Sequence, residues 1–250
     1  MKRYILLLCL VWAAIPVVSA QDNPLGMKGA KPESAYTFSS SMTYEMTTTT
    51  RKGKTSRMSN KYYFSPKGTA VGMEFGESSE GGKAAAGIDF MIIDIGQAKI
   101  FTFMESKMVI GMALRPDKLN ETIEKENAAI RVTKTTEVKT IMGYECDGYS
   151  VKNEKDKSDV MMWVSRKRVE SLAGLGTQMA RAFAGSGKGG QTNYFAYNAH
   201  PELAKMAQEG RGILGYTTQS EKGDVTEMVL TAIEPKINYT FKAGDYKSMF

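Results

Sequence analysis

The sequence predicts a mainly β protein of the α+β class, a meander of antiparallel strands with two or three helices, and three observations carry that expectation. Tyr36, Phe38, Ser40, Met42, Tyr44 and Met46 alternate with Thr37, Ser39, Ser41, Thr43 and Glu45, the period-two pattern of a strand with one face buried. Ile88-Asp89-Phe90-Met91-Ile92-Ile93-Asp94-Ile95 is apolar at both parities, as a central strand buried on both faces is. Strand–turn–strand units recur along the chain without a regular alternation of strand and helix, which argues against a dinucleotide-binding fold.

The chain opens on an export signal. Lys2 and Arg3 precede the apolar run Tyr4 to Ala14, and Val18-Ser19-Ala20 supplies small residues for cleavage after Ala20, the three parts of a secretory signal in their order. The run is shorter than the roughly 20 residues that span a bilayer. Cys9 lies in the middle of the apolar run and not at the cleavage point, so a lipid anchor is disfavoured. We therefore expect residues 1–20 to be removed, and the remainder to be exported, periplasmic or associated with the outer envelope, without a stable transmembrane span. Residues 21–34 contain Pro24, Gly26, Gly29 and Pro32 and read as a flexible tether. Residues 35–250 then form a single β-rich domain.

Within that domain Arg51-Lys52-Gly53-Lys54 is a hairpin turn leading to a strand through Lys61-Tyr62-Tyr63-Phe64, and Ser65-Pro66-Lys67-Gly68 breaks that strand before another through Val71, Met73 and Phe75. After the Gly- and Ser-rich segment 76–87, the doubly apolar run at Ile88 pairs across Gly96-Gln97-Ala98-Lys99 with Ile100 to Met104. Two more hairpins follow the same grammar: Tyr144 to Val151 with Val160 to Val164, and Ile213 to Gln219 with Val225 to Ile233. Val169, Leu172, Gly176, Met179 and Phe183 lie three and four residues apart, the spacing of one helix side over about 171–184. Gly174 and Gly176 weaken that helix by about 1 kcal/mol each. Pro201 opens a second helix and Gly210 ends it. A third is weakly patterned around 118–127.

Chemistry-bearing motifs are sparse. Removal of the signal leaves Cys146 as the one cysteine, so the exported chain has no internal disulfide. The formal charge falls from +6 to +4 without Lys2 and Arg3, and basic residues alternate with acidic ones, as in Lys152-Asn153-Glu154-Lys155-Asp156-Lys157. That is a solvated turn and not a phosphate-binding stripe, so no nucleic-acid partner is expected. Gly185-Ser186-Gly187-Lys188-Gly189-Gly190 fails as a phosphate loop, because the first glycine would fall at Ala182 and the hydroxyl position is Gly189. His200 is the single histidine and shares no recognised ligand spacing with Cys146 or a carboxylate, so neither metal nor cofactor is expected. In a strand, Glu145 and Asp147 point away from Cys146 and cannot activate it; a small buried hydrophobe is the better account. No Gly-x-Ser-x-Gly element is present.

Methionine is the compositional anomaly, with 17 residues in the chain. Met42, Met73, Met91, Met104, Met112, Met161, Met162, Met179 and Met206 all fall on expected strands or helix faces. An unbranched, polarizable side chain fills irregular gaps, and it also repacks around apolar ligands of varied shape. Both readings stay open on composition alone.

Ile141-Met142-Gly143-Tyr144-Glu145-Cys146-Asp147-Gly148-Tyr149, the strand ending Met162-Trp163-Val164, the turn Asp94 to Lys99 and the closing Gly244 to Met249 together resemble an uncharacterised family of exported bacterial proteins, domain of unknown function 4412. The resemblance covers most of 35–250. It implies a fold related to the LolA/LolB lipoprotein carriers: a curved antiparallel sheet forming a half-barrel, with helices on its concave face and acyl chains sheltered between them. It transfers no catalytic residue. The expectation that follows is a non-enzymatic envelope protein holding a lipid or other apolar small molecule, lined by Met91, Met104, Met162, Trp163, Met179 and Phe183. A structural module with a filled core, partnered by another envelope protein, is the alternative, and a hydrolase comes third.

Overall fold

The computed structural model describes residues 31–76, 79, 87–113, 130–153, 159–169, 201–220 and 223–248. The expected signal peptide, the 118–127 and 171–184 helices with Met179 and Phe183, the 185–190 loop and His200 lie outside them. Fourteen strands occur among the described residues: β1 (Tyr36–Phe38), β2 (Ser40–Thr49), β3 (Thr55–Phe64), β4 (Ala70–Phe75), β5 (Ile88–Asp94), β6 (Lys99–Met104), β7 (Met108–Ala113), β8 (Ile130–Ile141), β9 (Tyr144–Asn153), β10 (Asp159–Ser165), β11 (Ile213–Gln219), β12 (Val225–Glu234), β13 (Tyr239–Phe241) and β14 (Lys247–Ser248). Twelve join one sheet in the order β14-β7-β6-β5-β4-β3-β2-β12-β11-β10-β9-β8, while β1 pairs with β13 apart from it. The protein is mainly β, and its large sheet is open, with β14 and β8 as edges. Charged and exposed positions along β8, among them Arg131, Lys134 and Glu137, guard that edge against pairing with another chain.

Directly paired residues of antiparallel strands share a face, so the registers sort every side chain. On the front face one row runs Tyr149–Met162–Tyr216–Met228–Met46–Met58 across β9, β10, β11, β12, β2 and β3. A second runs Met42–Tyr62–Met73–Met91–Thr102–Ile110 from β2 to β7. The reverse face of the central strands carries Tyr63, Gly72, Phe90, Ile92, Phe101 and Phe103. β5 is therefore apolar on both sides, as its sequence predicts.

The uniform alternation from Tyr36 to Met46 conceals a change of layer. The chain bends at Ser39, whose N–H donates to the Phe64 carbonyl while its own carbonyl accepts from Ile237. β1 thereby leaves the sheet and pairs with β13 against the reverse face. Phe38, Tyr63, Phe90, Tyr239 and Phe241 stack there, with Phe90 and Phe241 centroids 4.4 Å apart and Tyr63 and Tyr239 centroids 4.6 Å apart. Gly72 makes room: a Cβ there would lie 2.6 Å from Phe90 Cζ and 2.9 Å from Phe38 Cζ. Tyr36 donates to the buried Asp94 carboxylate at 2.9 Å, which also caps the following turn by accepting from the Gln97 N–H. Burial, helped by Asp94, raises the Tyr36 phenol far above its ordinary value, so it remains a donor.

At the other end the sheet curls. β8 and β12 are four strand spacings apart in ladder order, about 19 Å if flat, yet Lys139 on β8 forms an ion pair with Glu227 on β12. Trp163 lies between them on the reverse face, paired with Gly148 on one side and Gly215 on the other. A Cβ on Gly148 would come 3.2 Å from the indole, and one on Gly215 would come 3.3 Å from Ile141. Two absent side chains thus let the ring lie across the strands and the β8–β9 tip fold over it. That tip is a two-residue turn with positive φ at both Met142 and Gly143, the backbone that matches hairpin twist.

The one expected helix among the described residues does not lie on the concave face. Among the described residues there is one α-helix, α1 (Pro201–Gln208). Its Leu203 and Met206 pack with Ile130, Tyr149, Val151, Val160, Met162 and Val164. In β10 those residues alternate with Met161 and Trp163, so α1 sits on the front face, outside the curl. The physical reason is parity: the reverse side of β10 is already occupied by the indole, and the apolar seat is on the other side. α1 ends at Gly210, with φ +77°, where only glycine is unstrained.

An ion cluster ties this end together. Asp147 is buried and receives Lys134 Nζ at 2.7 Å and Arg166 Nε at 2.7 Å. Arg211 Nε donates to the Ser165 carbonyl at 2.7 Å, with its other arm 3.9 Å from Asp147. The Lys134 hydrogen bond, seconded by Arg166, holds the Asp147 carboxyl below its ordinary range despite burial.

Two outcomes follow. Gly72→Ala should lower unfolding free energy by about 1–3 kcal/mol through overpacking, read from urea midpoints; an unchanged midpoint would refute the assigned stack. Asp147→Asn should cost about 1–2 kcal/mol at pH 7, a figure kept small because Lys134 and Arg166 are solvent-screened. A depressed carboxylate stabilises above its unfolded value of roughly 3.9 and loses that contribution as pH falls through the folded value. The gap between wild type and Asp147→Asn should therefore close below about pH 4, and a gap constant from pH 7 to pH 3 would count against the cluster.

Candidate functional site

The front face of β2–β7 and β12 carries a buried apolar cluster rich in methionine. Met42, Met46, Met73, Met91 and Met228 are buried in one cluster with Tyr44, Tyr62, Phe64, Val71, Ile93, Ile100 and Leu230, and Met58 and Phe75 pack against it. No residue of α1 belongs to that cluster. The period-two spacing of Met42, Tyr44 and Met46 on β2 and of Met58, Asn60, Tyr62 and Phe64 on β3 puts these side chains on one face, and the hairpin at Thr50 to Lys54 sets their register. Tyr44 and Tyr62 meet edge to face at 5.8 Å, and Tyr216 Oη donates to Met228 Sδ at 3.0 Å.

Two polar side chains interrupt this face. Asn60 is 3% exposed and Thr102 is 1% exposed, and neither Asn60 Oδ1 nor Thr102 Oγ1 has a hydrogen-bond partner. A buried polar atom left unpaired costs about 1–3 kcal/mol, and in native proteins it calls for an explanation. Both occupy apolar parity positions, Asn60 between Met58 and Tyr62 and Thr102 between Ile100 and Met104. That parity break is the signal by which sequence reading could have found them, and it was missed.

Of the residues expected to line an apolar site, Met91 and Met162 are on the front face by register, and Met104 is there by alternation within β6. Met162 lies under α1. Trp163 is on the reverse face, with its Nε1–H 3.4 Å from Thr217 Oγ1 and Lys139 Nζ 5.7 Å from the ring centre. The structure thus gathers Met91 with Met42, Met46, Met58, Met73 and Met228 in a cluster that also takes in Trp163, and places Met162 in a second cluster with α1.

Reactive chemistry finds little support. Cys146 is fully buried, its thiol directed to the Tyr144 carbonyl at 3.5 Å, and burial pushes its pKa up to about 11. It is an inert thiol, since the thiolate is the nucleophile. A cavity of about 100 Å³ lies at the β8–β9 tip beside Gly143, Tyr144, Glu145 and Lys167, room for a few waters at roughly 30 Å³ each and not for an acyl chain. Among the described residues no three His, Cys, Asp or Glu side chains gather as metal ligands. No described helix is long and apolar enough to cross a membrane. Lys107, Asp89 and Tyr246 form a triad, with Asp89 accepting from Tyr246 at 2.8 Å and from Lys107 at 3.0 Å; it fastens the C-terminal segment to β5.

Among solved structures the chain is similar to PNGF-II, with a TM-score of 0.33 and 13% identity over 79% of this chain and 28% of that one; it spans less than a third of that protein's length. It is also similar to a LolA superfamily protein from Nitrosomonas europaea, with a TM-score of 0.31 and 6% identity over 79% of this chain and 86% of that one. A beta-barrel-like protein of the DUF1849 family from Brucella abortus gives a TM-score of 0.27 and 8% identity over 80% of this chain and 98% of that one. No curated protein matches the chain. The family model described as Domain of unknown function (DUF4412) matches residues 38–237, from the end of β1 to the segment between β12 and β13, and the chain belongs to that family.

Proposed function

We propose that this protein is a non-enzymatic, exported envelope protein that holds a lipid or other apolar small molecule against the front face of its sheet. The observation that carries the reading is the pair of methionine rows: Met42, Met46, Met58, Met73, Met91 and Met228, six methionines from five strands, meet on a face whose reverse side over β3–β6 is already sealed by aromatic stacking. Methionine there gives a soft surface that re-forms around chains of differing shape, where leucine or isoleucine would impose one packing. The export signal expected in residues 1–20 would give it an envelope location.

A second reading, a structural or protein-interaction module with a filled core, is favoured by the low exposure of the same side chains, 2% at Met42 and 8% at Met46 and Met91. Co-purification separates the two. Protein taken from its native host and extracted with organic solvent should release about one apolar molecule per chain by mass spectrometry, and the stripped protein should take up a fluorescent acyl-chain probe. Recovery of no lipid together with no probe uptake would leave the filled-core module standing.

A further inference from the structure

The orphaned carboxamide on the front face has a chemistry of its own. Asn60 sits on β3 between Tyr44 of β2 and Phe75 of β4, with Met58 and Tyr62 before and after it on the same face. Its Oδ1 is an acceptor, is buried and is unpaired. The charged residues of these three strands, Glu45, Arg57, Lys61 and Glu74, fall at the opposite parity and belong to the reverse face; Lys61, for example, is taken up there by Glu234. An anionic headgroup beside Asn60 Oδ1 would meet an acceptor and, among the described residues of these strands, no cation on that face, and burying an unpaired charge is costly. A neutral group that donates a hydrogen bond meets the one partner the site lacks. Thr102, the other orphan, has a hydroxyl that is both donor and acceptor, so it makes no such demand.

Resting on the apolar-ligand reading above, we propose that Asn60 Oδ1 is the polar anchor for an uncharged single-chain amphiphile, one whose hydroxyl or amide hydrogen is donated to Asn60 while its chain lies along Met73 and Met91. Specificity then lies in the headgroup: the methionines accept chains of many shapes, and the carboxamide selects alcohols and amides over carboxylates.

Displacement of the fluorescent probe N-phenyl-1-naphthylamine from the signal-cleaved full-length protein at pH 8 tests this, with 1-dodecanol and dodecanoate as competitors. Wild type should bind the alcohol about 10-fold more tightly than the carboxylate, and Asn60→Leu should weaken the alcohol by about 5- to 10-fold, each inhibition constant being corrected for that protein's own affinity for the probe. Thr102→Val should leave the alcohol unchanged. Equal affinity of wild type for the two competitors overturns the anchor without any variant having to fold, and so does an Asn60→Leu protein that binds dodecanol as wild type does. In either case probe binding by wild type keeps the apolar-ligand reading. Failure of the probe and both competitors to bind wild type removes that reading and the anchor together.

Discussion

The aromatic stack over Gly72 is the contact on which the centre of this sheet depends. Strand β5 is apolar at both parities, and its neighbours bring Tyr63, Phe101 and Phe103 to its reverse side, so each face there needs its own cover. On the reverse face that cover is the β1–β13 ribbon, whose Phe38, Tyr239 and Phe241 lie against Tyr63 and Phe90. Each such ring pair contributes about 0.5–1.5 kcal/mol beyond area burial, but only if the rings can approach the backbone, and the missing side chain at Gly72 permits it. The bend at Ser39 is the covalent half of the same arrangement, since without it β1 would continue in line with β2 and the rings would face the other way. The reverse face is closed locally by nearby chain, and on the buried front face of the same strands methionine stands beside the branched aliphatics Val71, Ile93 and Ile100.

Charge is distributed in keeping with that division. The ion pairs collect at the β8–β12 end, where Asp147 gathers Lys134 and Arg166 and where Lys139 meets Glu227 over the Trp163 ring. These contacts hold a curled, charge-rich edge in one shape; they create no reactive group, because every acid in them is matched by a cation. The central front face has no such charges, and its two polar atoms are neutral. A carboxylate buried near the centre, Asp94, is satisfied by neutral donors from Tyr36 and Gln97. The electrostatics of the molecule therefore favour shape at the edge and neutrality in the middle, which suits an uncharged occupant.

Legibility varied with the range of the interaction. The hairpins at Ile88–Met104, Tyr144–Val164 and Ile213–Ile233 and the helix from Pro201 to its glycine stop were readable, because turn residues and periodicity are local. The polar strand β8 was not, since Thr133, Lys134, Thr135 and Thr136 carry no apolar alternation and are held by pairing with β9. The site was half legible. Methionine enrichment and the position of Met91 stood out, but Asn60 and Thr102 looked like ordinary polar strand residues until the registers aligned them with Tyr44, Phe75 and Met91 on a face with no hydrogen-bond partner for them. Trp163 illustrates the converse: one residue of parity separates it from Met162 and sends it to the other side of the sheet.

By itself the sequence determined the class of fold, the parity of the strands that alternate, the sites of tight turns, the burial of Cys146 and the family to which the chain belongs. These follow from period, composition and local order, which need no knowledge of distant partners. Only the tertiary structure decided that β1 crosses to the reverse face, that the β8 edge curls until Lys139 reaches Glu227, that α1 lies outside that curl, and that two buried polar atoms share the methionine face. Each of these depends on which elements become neighbours across long stretches of chain, 88 residues between Lys139 and Glu227 and more between β1 and β13, and pairing at that range is set by the collective burial of both faces and not by any local pattern.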